Sequence, residues 1–155
     1  MSLDIEKKIA ALGLSLPEAA KPVANYVACV QTGSLLIISG QLPLEAGALK
    51  AKGKLGGEVA EEIGIACAQA CFLNVVAQAK AALGNLERVK RIVRLGGFIS
   101  CAPAFTNHAK IMNGASDLAV ELFGERGIHA RSTIGVPSLP LNAPVEVEAI
   151  FEIAL

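Results

Sequence analysis

The sequence has few aromatic residues, few histidines and no excess of charge of either sign. Its 155 residues include no tryptophan, one tyrosine, five phenylalanines and two histidines. Its 14 Lys and Arg residues are balanced by 14 Asp and Glu residues, so the formal net charge is zero. Because non-specific affinity for nucleic acid comes mainly from cations that neutralise phosphates, this balance argues against a nucleic-acid partner. It also provides no electrostatic attraction to an anionic membrane.

The four cysteines form neither a CxxC pair nor a dense disulfide framework. They are Cys29, Cys67, Cys71 and Cys101. Cys67 and Cys71 share one face of a helical pattern, but a metal site built on them needs further ligands. The two histidines, His108 and His129, are distant from this pair in sequence. We therefore expect reduced, buried thiols and no metal.

No uncharged stretch is apolar enough to span a bilayer. Residues 22–44 contain several polar side chains, and residues 63–79 fall short of the roughly 20 apolar residues that a span needs. The charged side chains of Asp4, Glu6 and Lys7 interrupt the apolar stretch that a signal peptide at the N-terminus needs. We expect a cytoplasmic protein without a membrane partner.

The hydrophobic content is high for so few aromatic residues. Hydrophobic residues make up 53% of the chain, so the core is expected to consist of aliphatic side chains. A chain of this length is expected to form one domain, with residues 1–19 as an N-terminal helix and connector. The excess of apolar side chains indicates an oligomer.

The hydrophobic periodicity predicts elements in the order α, ββ, α, β, α, ββ. Helices are predicted over residues 3–12, 58–83 and 106–123. Strands are predicted over residues 26–32, 35–40, 89–100, 130–136 and 145–153, and a glycine-rich loop over residues 43–57. The last two strands are expected to form a hairpin. The pattern predicts an α+β fold with a mixed sheet and helices on one face.

An arginine lies inside an apolar strand, which is unusual because a buried guanidinium requires an anion. Strand alternation places His129, Arg131 and Thr133 on one face. The anion is either Glu146 or Glu148 on the neighbouring strand, or the carboxylate of a ligand. The sequence leaves both alternatives open. His129 is interpreted as a structural polar residue.

Cys101 and His108 have the residue types of a thiol nucleophile and its base. The intervening residues 105–107 are typical of a loop that leads into a helix. The interpretation favoured by the sequence is therefore a buried thiol and a residue at a helix entry.

Four segments together resemble the Rid/YjgF superfamily of reactive-intermediate imine/enamine deaminases, also called L-PSP endoribonucleases. They are residues 38–43 (ISGQLP), Asn113, residues 130–132 (ARS) and residues 145–150 (VEVEAI). The resemblance covers residues 20–155 and is that of a divergent branch with an added N-terminal helix. It implies a chorismate-mutase-like mixed sheet with two helices packed on one face. It also implies a homotrimer with sites in clefts between subunits.

The resemblance implies roles for individual residues. Arg131 would bind the carboxylate of a 2-imino acid, and Glu146 would position or activate the hydrolytic water. Asn113 would support the site from the second long helix, and the Thr133 backbone would hold the water where the better-known deaminases often have cysteine. The remaining pocket residues implied in this way are Tyr26, Ser39 and Gly40.

The implied reaction is the hydrolysis of 2-imino or enamine acids to 2-oxo acids and ammonia, without metal or organic cofactor. One alternative is a module of the same fold that binds a carboxylate metabolite without catalysis. A weaker alternative is a ribonuclease or RNA-binding protein, which the neutral charge disfavours.

Overall fold

The computed structural model describes residues 4–22 and 24–155, which form a five-stranded sheet, a two-stranded sheet and three α-helices. The helices are α1 (Ile5–Ala11), α2 (Glu61–Leu83) and α3 (His108–Phe123). The strands are β1 (Cys29–Thr32), β2 (Leu35–Gln41), β3 (Leu44–Glu45), β4 (Ala48–Leu49), β5 (Val89–Ser100), β6 (Ala130–Val136) and β7 (Val145–Ile153). The predicted α+β class is confirmed, and the predicted helices and strands occur in the predicted order, with the two short strands β3 and β4 added in the segment predicted as a loop. The predicted start of the first helix, residue 3, lies outside the described residues.

The large sheet has the strand order β1-β2-β7-β5-β6. β7 pairs antiparallel with β2 and β5, whereas β6 pairs parallel with β5. The predicted hairpin between the last two strands is therefore wrong, because β5 lies between β6 and β7. α3 connects β5 to β6, and a helix that crosses over the sheet in this way returns the chain so that β6 runs parallel to β5. Nearness in sequence favoured the hairpin, but the crossover placed β6 on the outer edge of β5.

The core lies between the sheet and the two long helices. Every second residue of β7 is buried, from Val145 to Ile153, as the alternation predicted. Cys71 of α2 is fully buried, and its Sγ donates to the Val145 carbonyl at 3.5 Å. Burial raises the pKa of the Cys67 thiol to about 11. Both thiols are free, as expected.

The apolar composition of α2 is explained by its burial in this core. Among the described residues, α2 is the one helix that is long and apolar enough to cross a membrane. However, 61% of its most apolar 18-residue stretch is buried inside the protein. Its small residues allow close packing against the sheet and α3. α1 packs against α3: Ile5 and Ile9 are buried in the core, and Lys8 Nζ donates to the Leu122 carbonyl at 3.3 Å.

Two buried polar residues of α2 hold the segments around the end of β2. The Asn74 side-chain amide donates to the carbonyls of Leu42 and Leu44 at 3.3 and 2.9 Å. The Gln78 amide donates to the Ala20 carbonyl at 2.6 Å and to Gln41 Oε1 at 3.4 Å. The predicted loop over residues 43–57 thus contains β3 and β4, anchored to the helix. Buried polar side chains are retained where they satisfy backbone groups in this way.

A glycine in α3 allows the two long helices to come into contact. A Cβ on Gly114 would overlap the backbone carbonyl of Ile65 in α2. A Cβ on Gly64 would instead lie 2.6 Å from Leu55 Cδ1, the end of a flexible side chain. Backbone atoms cannot give way as a leucine methyl group can.

We expect Gly114→Ala to lower the free energy of unfolding by about 1–3 kcal/mol, the typical cost of overpacking. Gly64→Ala is the matched control, because both changes gain the same intrinsic helix propensity. Chemical denaturation monitored by circular dichroism measures the difference. Equal stabilities of the two variants would show that the helix contact is less tight than described.

Candidate active site

Arg131 is held by the face of α3 that packs against β6. Its Nη1 donates to Asn113 Oδ1 at 2.9 Å and to Ser116 Oγ at 3.0 Å, and its Nη2 donates to the Ala109 carbonyl at 3.3 Å. Residues 109, 113 and 116 follow the i, i+4, i+7 spacing of one helix face. The contact predicted between Asn113 and the arginine site is present. Ser116 was missed, although this spacing from Asn113 is the signal that would have identified it.

The guanidinium keeps two donors for a ligand. Arginine has five N–H donors, and the contacts to α3 use both on Nη1 and one on Nη2. In the described part of the chain, Arg131 makes no ion pair. The alternative of an internal salt bridge to Glu146 or Glu148 is therefore wrong for a single chain. Two free donors on a fixed, half-buried cation match the two oxygens of a carboxylate.

His129 belongs to the support of this arginine. Its Nε2 lies 2.9 Å from Ser116 Oγ, and its Nδ1 lies 2.6 Å from the Gly127 carbonyl. A neutral ring with the proton on Nδ1 satisfies every group: Arg131 donates to Ser116, Ser116 donates to Nε2, and Nδ1 donates to the carbonyl. The geometry is that of a structural polar residue, in agreement with the interpretation from the sequence.

Glu146 lies at the start of β7, beside the end of β2. A Cβ on Gly40 would lie 2.5 Å from Glu146 Oε1, so the absence of a side chain there leaves room for the carboxylate. Ser39 binds the chain that follows Tyr26, since its N–H donates to the Ala28 carbonyl at 2.9 Å and its Oγ to the Val27 carbonyl at 2.8 Å. Tyr26 and Gly40 line one cavity of about 140 Å³. The structure thus places Gly40 beside Glu146, with Ser39 and the segment that follows Tyr26 next to Gly40.

The Glu146 carboxyl is partly withdrawn from solvent. Burial raises its pKa above the ordinary value of 4.5, and the neighbouring Glu148 carboxylate raises it further. No ion pair to Glu146 is present among residues 4–22 and 24–155. A carboxyl with a raised pKa is better matched to proton transfer near neutral pH than an ordinary one.

The sheet separates these two groups of residues. Arg131 pairs with the fully buried Leu95, so its side chain lies on the helix-covered face. Glu146 alternates with the buried Val145 and Val147, so its side chain lies on the open face. The alternative in which a hairpin brings Glu146 or Glu148 of the same chain beside Arg131 is wrong, because β5 lies between β6 and β7. In a single chain, Arg131 and Glu146 do not form one site.

Thr133 lies two residues beyond Arg131 on the same face of β6. Its Oγ1 is buried and has no hydrogen-bond partner within the described ranges. A buried hydroxyl without a partner retains its capacity to bind a water or a ligand oxygen. This places one unused polar group on the arginine side of the sheet.

Cys101 and His108, for which the sequence favoured a buried thiol and a residue at a helix entry over a reactive pair, are in contact. Cys101 Sγ lies 3.4 Å from His108 Nε2. The short separation in sequence was the available signal, but the turn that folds His108 back was not recognisable from residues 102–107. Within the described ranges, no group of three or more His, Cys, Asp or Glu residues comes together in a way that could hold a metal ion.

The fold and these residues define a protein of the YjgF/chorismate mutase-like class. The family described as "YjgF/chorismate_mutase-like, putative endoribonuclease" matches residues 6–153, and the chain belongs to it. The resemblance to the Rid/YjgF superfamily is therefore confirmed, as is the chorismate-mutase-like fold.

Three known proteins indicate where the chain lies within this family. It is 48% identical to protein TCP17 of Trypanosoma cruzi over 92% of this chain and 89% of the relative. The crystal structure of Atu1372 from Agrobacterium tumefaciens matches with a TM-score of 0.92 and 41% identity, covering 99% of this chain and 94% of that one. A more distant relative, 28% identical over 88% of this chain and 92% of its own length, is 2-iminobutanoate/2-iminopropanoate deaminase of Dermatophagoides farinae.

The raised pKa of Glu146 predicts a pH-dependent effect of Glu146→Gln on stability. Because the ionised carboxylate is disfavoured in the folded state, the wild type loses stability as pH rises above 4.5, the ordinary value, through the raised pKa. We expect Glu146→Gln to have the higher Tm at pH 7, and the difference to vanish below pH 4.5. Scanning calorimetry across this range measures it. A lower Tm for the variant at pH 7 would contradict the assigned cause.

Proposed function

We propose that this protein hydrolyses 2-imino or enamine acids to 2-oxo acids and ammonia. The observation that supports this most directly is the arginine fixed on α3 with two donors left for a carboxylate. The named activity of the Dermatophagoides farinae relative, 2-iminobutanoate/2-iminopropanoate deaminase, is consistent with it. The carboxylate orients the substrate, and orientation of reactants is a large part of catalysis.

We propose further that the site is completed between subunits of a homotrimer. Arg131 and Glu146 lie on opposite faces of their own sheet, so a neighbouring copy is needed to bring one beside the other. The open face of the sheet carries large apolar side chains that are exposed in one chain. They are Val30, Leu35, Ile37 and Ile134, with 50%, 37%, 40% and 51% of their surface exposed. An apolar patch of this kind favours association.

The reaction needs one water and one proton shuttle. The carboxylate of the substrate binds the free donors of Arg131, which directs the C=N carbon toward the Glu146 of another subunit. Glu146 accepts a proton from water as the oxygen bonds to this carbon, and returns the proton to the nitrogen. Collapse of the carbinolamine releases ammonia and leaves the 2-oxo acid. An enamine enters the same path after protonation at carbon.

Replacement of Arg131 tests the carboxylate anchor. We expect Arg131→Ala to weaken binding of a 2-oxo acid by roughly 1.5–3 kcal/mol, the value of a hydrogen bond to a charged group. Arg131→Lys is the matched variant, since it retains the charge but loses the planar pair of donors. Titration calorimetry measures binding, and decay of an imine generated in situ measures turnover. Unchanged binding by both variants, with the fold intact, would refute the anchor.

Mixing two inactive variants tests the intersubunit site. If each site takes Arg131 from one subunit and Glu146 from the next, refolding Arg131→Ala with Glu146→Gln in equal amounts restores about a quarter of the sites, because each partner is correct half the time. Each variant refolded alone is the control. No recovery in a mixed trimer would refute the shared site.

Two other outcomes would replace the proposal. Binding of 2-oxo acids with no acceleration of imine decay across several amino-acid-derived imines would identify a binding or regulatory module. A monomer by light scattering would exclude the intersubunit site, because the sheet then keeps Arg131 and Glu146 apart.

A further inference from the structure

The cavity at the end of β5 contains two reactive side chains that the proposed deamination does not use. Cys101 follows β5 directly, and His108 is the first residue of α3. Cys101 Sγ lies 3.4 Å from His108 Nε2, and both side chains are half-buried. An imidazole at this distance is placed to take the thiol proton, and the thiolate is the nucleophilic form of cysteine.

The backbone of β6 and an aromatic ring hold this pair in place. A Cβ on Gly135 would lie 2.9 Å from Cys101 Sγ and would overlap His108 Nε2, so a glycine is needed for the pair to pack against the strand. The Phe105 ring makes an edge contact with the His108 imidazole, with the centroids 5.4 Å apart. The pair is thus enclosed on two sides by groups that fix its geometry.

The third side of the pair opens into a cavity of about 460 Å³. Its apolar walls come from Ala102, Pro103, Phe105, Val136 and Pro137. Lys54 also lines it, and its Nζ donates to the Pro137 carbonyl. An ammonium has three donors, so two remain beside the cavity. Apolar walls with one cation suit a small carbon skeleton that carries an anionic group.

The other thiols differ from Cys101 in their surroundings. Cys29 is also half-buried, but burial raises its pKa to about 11, and its Sγ donates to the Gln78 carbonyl at 3.7 Å. Cys67 and Cys71 are fully buried in the core. Cys101 is the thiol that combines a cavity, a base and a nearby cation.

We propose that Cys101, His108 and Lys54 form a second reactive site, which adds the Cys101 thiol to small electrophiles carrying an activated C=C bond and a carboxylate. His108 takes the thiol proton as the sulfur bonds to the β-carbon. The π-electron pair moves to the α-carbon, which receives the proton from His108, so that no oxidant or leaving group is required. Lys54 binds the carboxylate.

This site adjoins the candidate deaminase site along α3 but uses different side chains. Arg131 Nη2 donates to the Ala109 carbonyl, next to His108, whereas Cys101 lies beside Gly135, four residues from Arg131 on β6. Loss of the thiol is therefore expected to leave imine hydrolysis intact. Cys101→Ser distinguishes the two activities, because failure of the deaminase proposal would not alter thiol reactivity.

The test compares two maleimides that share one activated double bond. N-ethylmaleimide is neutral, whereas 3-maleimidopropionate carries a carboxylate. Each is added to the full-length protein, and the rate of labelling at each cysteine is followed by peptide mass mapping. In the wild type we expect Cys101 to react at least about tenfold faster than Cys29, since Cys101 has a base beside it.

Two variants separate the roles of the base and the cation. We expect His108→Asn to slow labelling of Cys101 roughly tenfold or more with both reagents, through loss of the base. Lys54→Met is expected to slow only the anionic reagent, about threefold, as for a partly exposed charge pair. Melting curves verify that each variant is folded.

Equal rates at Cys101 and Cys29, or a Cys101 rate that His108→Asn leaves unchanged, would overturn the reactive pair. An anionic-to-neutral rate ratio that Lys54→Met leaves unchanged would overturn the preference for carboxylates. If His108→Asn does not fold, the comparison of Cys101 with Cys29 in the wild type and the Lys54 variant still decide the proposal.

Discussion

The position of β5 between β6 and β7 is the constraint on which the arrangement of the functional residues depends. β5 pairs with both strands, and side chains along a strand alternate between the two faces of a sheet. Arg131 therefore shares the helix-covered face with Leu95, whereas Glu146 shares the open face with Phe98. The sheet itself therefore lies between the two charged side chains, although both belong to the segments that carry the family resemblance.

α3 serves as the support for chemistry on the helix-covered face. Along one side it presents Ala109, Asn113 and Ser116 to the guanidinium of Arg131. At its first residue it presents His108 to Cys101. The close approach of α2 at Gly114 keeps this helix in position. A rigid helix packed against a sheet holds side chains more firmly than a loop does, which suits both an anion site and a nucleophile with its base.

The open face of the sheet has a different character. It combines exposed aliphatic side chains with Glu146 and Glu148; burial raises the pKa of Glu146, and the neighbouring Glu148 carboxylate raises it further. Such a surface is unfavourable in water but suited to partial burial against another copy, where apolar area is removed from solvent. Assembly and catalysis are linked in this proposal, because the same face would provide both the contact between subunits and the carboxyl group.

The long helices, the five strands of the large sheet, the buried row of β7 and the family could be predicted from the sequence, because these depend on local periodicity and on short motifs. It also indicated Arg131 as unusual, since a guanidinium in an apolar strand needs a partner. The pairing of β6 with β5 instead of β7 was decided by the tertiary structure, because a crossover helix determines the partner and local pattern does not. The same holds for Ser116 beneath Arg131 and for the contact of Cys101 with His108. These contacts depend on which helix face meets which strand, and packing of the whole core decides that.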